Sequence, residues 1–277
     1  NVPQLEMSFF ERILNNGSCE EPKMLNIQYR MHPQISEFPI NKIYDNKLQD
    51  GVTIEDKSWP GINFPLYFIS CKKGYETKVL SKRVDEASSF SRFQGYTYIN
   101  EHECDIIIST IYKLMDDKKV KLQDIGVVTP YSAQRDYISS RLVDDMIINP
   151  SRLAMIQETE EEEFGKIKNG GNNSISGTNS VRSHTVNIIN GLQVATVDSF
   201  QGHEKNFIIF SCVRSNPENK IGFLTDKRRL NVALTRSKNG LILVGNDDVL
   251  ERGGGMWQQY ITYLRDHDLI FPSLDMY

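Results

Sequence analysis

The feature that most constrains this chain is a set of short apolar runs set apart by segments of helical periodicity. Ile125-Gly126-Val127-Val128-Thr129, Leu192 to Val197, Asn206 to Val213 and Leu241-Ile242-Leu243-Val244 each have the length and side chains of a buried strand. Leu66-Tyr67-Phe68-Ile69 is a fifth such run. Around them, helices are predicted from about Ser132 to Val143, Lys227 to Arg236 and Trp257 to Arg265. Another follows the capping pair Asn100 and Glu103, behind which Ile106, Ile107, Ile111, Leu114 and Met115 recur at helical spacing. Strands alternating with helices imply an α/β fold: a mostly parallel sheet with helices on both faces. A lead-in helix over roughly Glu6 to Leu14 and a loop at Asn15-Asn16-Gly17 precede it, and Ser81 to Gly95, polar with Ser and Gly, is expected to be a loop.

Composition narrows the class further. Of 277 residues, 39% are hydrophobic and 25% charged, which excludes collagen-like, coiled-coil and wholly disordered chains. No apolar stretch approaches the ~18–20 residues of a membrane span, and Asn1-Val2-Pro3-Gln4 opens no signal peptide. Cys19, Cys71, Cys104 and Cys212 are scattered, with no C-x-x-C and no nearby His cluster. That disfavours zinc and a disulfide framework, and points to a reducing compartment, cytoplasmic or nuclear. The net charge of −4 is unevenly spread. Glu158 and Glu160 to Glu163 form an acidic run, whereas Lys220, Lys227, Arg228, Arg229, Arg236 and Lys238 face a single acid, Asp226, between positions 220 and 238. The stretch Pro150 to His184, which holds the acidic run, is expected to be a mobile insertion too poor in apolar residues to order itself.

In open parallel sheets, ligands sit where the carboxyl ends of strands feed the next helix. That rule selects Thr129-Pro130-Tyr131, the stretch Thr196 to Glu204, and the turn after Val213. No G-x-x-x-x-G-K-[ST] loop occurs, because Gly165-Lys166 is followed by Ile167. Any nucleotide chemistry would therefore need a phosphate cradle from elsewhere.

Four motifs then occur in order: Gln28-Tyr29-Arg30-Met31-His32-Pro33, Thr129-Pro130-Tyr131, Val197-Asp198-Ser199-Phe200-Gln201-Gly202-His203-Glu204-Lys205, and Arg229-Leu230-Asn231-Val232-Ala233-Leu234-Thr235-Arg236. From about Leu5 to Phe271 the chain resembles the superfamily 1B helicases, and in particular the nonsense-mediated-decay RNA helicase and its senataxin-like relatives. The resemblance implies a RecA-like second motor lobe over 21–277, preceded over 1–20 by a lead-in helix and linker from an absent first lobe. It implies an ATP-dependent 5′-to-3′ helicase on single-stranded RNA or DNA, with ATP and Mg²⁺ held mostly by the first lobe. This chain alone is then expected to be inactive. Arg30 and Arg236 match the arginines that reach the γ-phosphate, Tyr29 the aromatic on the adenine, and Glu204 the carboxylate on the ribose. Gly202 suits either a close backbone approach or a positive φ. His203 stands where many relatives carry Arg.

Each of these residues also has a structural reading. The arginines could form ion pairs, Tyr29 could be core, and Glu204 could pair with Lys205. Thr129, Tyr131, Thr196 and Ser199 offer hydroxyls and neighbouring N–H groups to the phosphates of a strand, or simply cap turns. Asp198 is read as an organiser of its turn. The rival reading of the whole chain is a catalytically decayed lobe kept as a protein-interaction module. The acidic insertion is expected to project away from the nucleic-acid path toward a basic protein partner.

Overall fold

The apolar runs do become strands, and the structure, a computed structural model describing residues 9–17, 23–62, 64–83, 92–116, 119–163 and 181–272, adds elements around them. The chain begins with α1 (Phe9–Asn15), β1 (Ile27–Gln28), α2 (Pro33–Lys42), β2 (Gln49–Asp50) and α3 (Ile54–Lys57). It continues with β3 (Leu66–Ser70), β4 (Thr77–Arg83), β5 (Arg92–Ile99), α4 (Glu101–Asp116), β6 (Ile125–Thr129) and α5 (Ser132–Val143). Next come β7 (Ile156–Glu163), β8 (Val181–Ile189), β9 (Leu192–Thr196), β10 (Lys205–Ser211) and α6 (Lys227–Leu234). The last elements are β11 (Ser237–Gly245), α7 (Asp247–Arg252), α8 (Gly255–Asp266) and β12 (Ile270–Phe271). Of the lead-in helix, Glu6 to Ser8 lie outside the described residues.

One eight-stranded sheet runs in the order β12-β3-β11-β10-β6-β9-β8-β7. Every pairing from β12 to β9 is parallel, and β8 alone is reversed, pairing antiparallel with both β9 and β7. Alternate residues of each strand feed opposite cores, as a period of two requires. Leu66, Phe68, Phe210, Leu241 and Leu243 meet Ile35 and Phe38 of α2, Leu230 of α6, and Trp257 and Ile261 of α8. Tyr67, Ile69, Val127, Ile209 and Ile242 meet Ile107 and Ile111 of α4, and Ile138 and Leu142 of α5. The chain is thus a mostly parallel sheet with helices on both faces, as expected of a RecA-like fold. The predicted cap is present, since the Glu103 N–H donates to Asn100 Oδ1 at 3.2 Å.

Two expectations are corrected. The loop expected over Ser81 to Gly95 is, at both ends, the antiparallel pair β4–β5, with 84–91 outside the described residues. Tyr96 and Tyr98 suit a pleated surface, and cross-strand pairs such as Leu80 with Tyr96 outweigh the Ser and Gly nearby. Likewise, the acidic run is not a mobile segment but the edge strand β7, in continuous register with β8 from Ile156–Ile188 to Glu163–Val181. Residues 164–180 lie outside the described residues. Ladder hydrogen bonds need no apolar side chains, and charge on an edge strand discourages pairing with other chains.

Candidate functional site

The turn that carries Tyr29 and Arg30 is held by one amide. Gln28 Oε1 accepts from the N–H groups of Arg30 (2.9 Å) and Met31 (2.8 Å), while its Nε2 donates to the Met31 carbonyl (3.0 Å) and to Asp50 Oδ1 (2.5 Å). His32 then caps α2, its Nδ1 accepting from the Gln34 N–H, and burial lowers its pKa, which keeps that nitrogen an acceptor. The His32 N–H donates to the Lys238 carbonyl at 2.9 Å, which ties the turn to the start of β11. Tyr29 is left 63% exposed, its ring lying on Gly51, where a Cβ would come within 2.3 Å of a ring carbon. Any side chain there would lift the ring. Tyr29 is therefore a supported, outward-facing aromatic rather than a core residue.

Beside it three cations gather around one carboxylate. Arg30 Nε lies 2.5 Å from Glu204 Oε2, and Lys238 Nζ lies 2.8 Å from Glu204 Oε1. The two predicted arginines meet at Thr235: Arg30 Nη1 donates to its carbonyl (3.0 Å) and Arg236 Nη2 to its hydroxyl (3.1 Å). Arg236 also donates from Nε to the Val232 carbonyl, which fixes it where α6 ends and β11 begins. Lys238 and then Arg30 hold the Glu204 carboxyl below its ordinary range, whereas burial and the neighbouring Arg30 lower Arg236. Cations outnumber carboxylates, so the arrangement favours an anion carrying several charges. Glu204 pairs with Lys238 and Arg30, not with Lys205. Gly202 has φ +90° with open space at its Cβ position, so its conformation demands glycine. Lys238, Thr235, Gln28 and Gly51 were not singled out as site residues; Lys238, two residues from Arg236 on an extended strand, carries the only signal that could have found one of them.

The candidate residues fall at both ends of the sheet. Lys205 pairs with Ser237 and donates to the Arg236 carbonyl, so Glu204, Arg236 and Arg30 cluster at the amino ends of β10 and β11. The rule assumes loops that feed helices; here the cations come from residues leading into strands and into α2. Thr129 and Thr196, paired with each other, stand at the carboxyl ends of β6 and β9, six residues or about 20 Å along the strands. The turn from Val197 to Glu204 crosses between the two ends over the buried Phe200.

At the carboxyl side, the four hydroxyls fare differently. Thr129 Oγ1 is buried and has no hydrogen-bond partner among the described residues. Thr196 Oγ1 donates to Ser199 Oγ at 2.9 Å and accepts from the Ser199 N–H, so this pair caps its own turn. Tyr131 is corrected as a surface contact: it is 2% exposed, wedged between Tyr98 and Phe223, and its hydroxyl accepts from Arg214 Nη1 at 3.2 Å. Asp198 receives Arg229 through two hydrogen bonds (3.1 and 2.8 Å), which fits an organiser of its turn.

Behind this surface lies a buried polar network. Glu103 Oε2 accepts from Ser211 Oγ (2.7 Å) and the Val213 N–H (2.9 Å), while Gln134 Nε2 donates to Ser211 Oγ and to the Asn100 carbonyl. Val213, a β-branched residue at φ +69°, needs such support. Arg214 follows it, is buried, and pairs with the partly buried Glu76 at 2.7 Å.

Residues 5–248 match a family model described as an AAA domain. The chain is 56% identical, over its full length, to the candidate ATP-dependent RNA helicase ECM32 of Saccharomyces cerevisiae, covering 24% of that protein. It is 35% identical over 96% of its length to the regulator of nonsense transcripts 1 homolog of Arabidopsis thaliana, covering 18% of it. It is 34% identical over 98% of its length to the ATP-dependent helicase NAM7 of Saccharomyces cerevisiae, covering 23% of it. The chain thus spans less than a quarter of these relatives. With its motifs, its mostly parallel sheet and this match, the chain belongs to the AAA-domain family of superfamily 1 helicases of the nonsense-mediated-decay type.

Proposed function

We propose that this chain is the second motor lobe of an ATP-dependent 5′-to-3′ helicase acting on single-stranded RNA or DNA. The observation that carries the reading is the meeting of Arg30 and Arg236 at Thr235, with Tyr29 exposed beside them. Two guanidiniums presented from one lobe would stabilise charge spread over a γ-phosphate held by the other, an effect worth roughly 10³–10⁵ in rate. Tyr29, backed by Gly51, has a free surface for adenine, and Glu204, released from Arg30 when phosphate arrives, can accept from ribose hydroxyls. The donor set fits ATP. Its Mg²⁺ would draw protein ligands from the first lobe, since no group of three His, Cys, Asp or Glu suited to a metal occurs among the described residues. In this reading the chain alone hydrolyses no ATP, and lobe closure is what couples turnover to movement. Backbone groups at Thr129 and at the Thr196–Ser199 turn hold strand phosphates about 20 Å away.

The test uses the full-length protein. Arg236→Ala should lower kcat about a thousandfold or more with KM little changed, because the guanidinium acts on transition-state charge. Tyr29→Ala should raise KM first. Identical kinetic signatures for the two variants would overturn the assignment of finger and platform.

A further inference from the structure

The β4–β5 pair belongs to none of the motifs, yet its surface is unusual. The sequence of its two strands has Lys78, Lys82, Arg83 and Arg92 and no carboxylate, and of these Lys78 is exposed. Leu80 and Tyr96, cross-strand partners on one face, are 54% and 57% exposed, and Tyr75 just before β4 is 74% exposed. Lys78 Nζ sits 3.6 Å from the Tyr96 ring centroid, and the Arg214 guanidinium lies 4.2 Å from that of Tyr98. Lys78 is opposite Tyr98 in register, so Tyr96, Lys78, Tyr98 and the buried, Glu76-paired Arg214 form one stripe of alternating rings and cations, with Leu80 across from Tyr96. The stripe leads onto Tyr131 and thus to the Thr129–Tyr131 turn, because Tyr98 packs edge-on against Tyr131 at 5.5 Å.

We propose that the β4–β5 hairpin binds single-stranded nucleic acid by stacking, with Tyr96 taking a base and Lys78 the flanking phosphate. Exposed aromatics interleaved with cations are the elements of sequence-independent single-strand binding. An ammonium held over a ring marks a face already suited to a flat, electron-deficient guest. A base that stacks there displaces Lys78 onto the adjoining phosphate, within the reach of its own side chain. Charge complementarity favours this occupant over a protein, since an acidic partner would leave the exposed rings unused. The inference rests on the helicase reading but adds a contact outside the four motifs.

The experiment measures binding of a fluorescent oligouridine to the full-length protein by anisotropy, without nucleotide. Tyr96→Ala should weaken binding roughly five- to hundredfold, the range for one lost stacking platform. Tyr96→Phe should bind within about twofold of the parent, and Lys78→Ala should reduce the slope of log affinity against log salt by about 0.7. If the parent binds tightly and Tyr96→Ala binds equally well, the inference is overturned while the helicase reading stands. If Tyr96→Phe loses as much as Tyr96→Ala, the ring is not the platform and the inference also fails. If the variants lose only a protein partner, the face is a protein dock and the inference is wrong. Failure of the parent itself to bind the oligouridine would remove both readings.

Discussion

The strands of the β4–β5 hairpin carry four cations and no carboxylate, whereas β7 of the β7–β8 hairpin carries five carboxylates and no cation. Both extend the carboxyl side of the sheet, but by different means. The first is a separate two-stranded sheet, and a lone ribbon is marginal in water. It is pinned where Glu76 accepts from Arg214, the Ser215 N–H and Asn216, and where Tyr98 meets Tyr131. The second is a continuation of the main sheet: β8 pairs with β9 over Val186–Ile189, and the β7–β8 ladder runs four pairs further, about 13 Å past the level of Thr196. Gln157, Asn187 and Ser139 add a hydrogen-bonded tie to α5. An island of sheet needs a buried anchor; an extended edge does not, and so can tolerate a row of like charges.

The largest effect should come from the anchor. Glu76→Ala leaves the Arg214 guanidinium buried without its carboxylate, an expected loss of about 3–5 kcal/mol, whereas Gln157→Ala in the other hairpin should cost about 1 kcal/mol. Thermal shift of the full-length protein and hydrogen exchange over residues 77–99 read both. Equal losses would break the contrast.

Second in size is a pH dependence confined to the first anchor. Glu103, whose carboxylate accepts from the N–H of Val213 just before Arg214, is pushed up to about 8 by burial, against the lowering hydrogen bonds from Ser211 and Val213. Between roughly 4.5 and 8 the folded state therefore binds the proton more tightly than the unfolded chain. Stability attributable to this group should fall as pH rises through that window, by up to about 1.4 kcal/mol per pH unit. Glu103→Gln should flatten that component; melting curves of parent and variant with the same pH slope would refute it.

The smallest effect tests the acidic edge. β7 stands two strand spacings from β9, about 10 Å, which is close to the Debye length at ordinary salt. This position puts to the test the expectation that the acidic run projects away from the nucleic-acid path. The double variant Glu158→Gln with Glu160→Gln should bind oligouridine a few-fold more tightly at about 50 mM salt, with the gain vanishing toward 0.5 M. An unchanged affinity at low salt would support that expectation instead.

What could be read beforehand follows from which force shapes each part. Ile125–Thr129 and Leu241–Val244 are buried on both sides, so their apolar continuity alone announces strands, and α5 spans Ser132–Val143 as its periodicity predicts. β7 is built by backbone hydrogen bonds, with Glu158 and Glu160 exposed on it, and composition is blind to that. At the site, Arg30 and Arg236 were legible from their motifs, but their meeting at Thr235 depends on how α6 stops and β11 starts. The inward turn of the Tyr131 hydroxyl was illegible because its partner Arg214 lies 83 residues away in sequence.

Glu204 gives the cation cluster a filter by valence. While its carboxylate bridges Arg30 and Lys238, chloride or bicarbonate gains little at those two by displacing an acceptor already within 2.8 Å of both. On the proposed reading, a triphosphate would meet Arg30, Arg236 and Lys238 at once and still leave Glu204 a hydroxyl to accept from. Between ligands, on that reading, the Arg30 guanidinium and the Lys238 ammonium stay held in place by Glu204 rather than waving free.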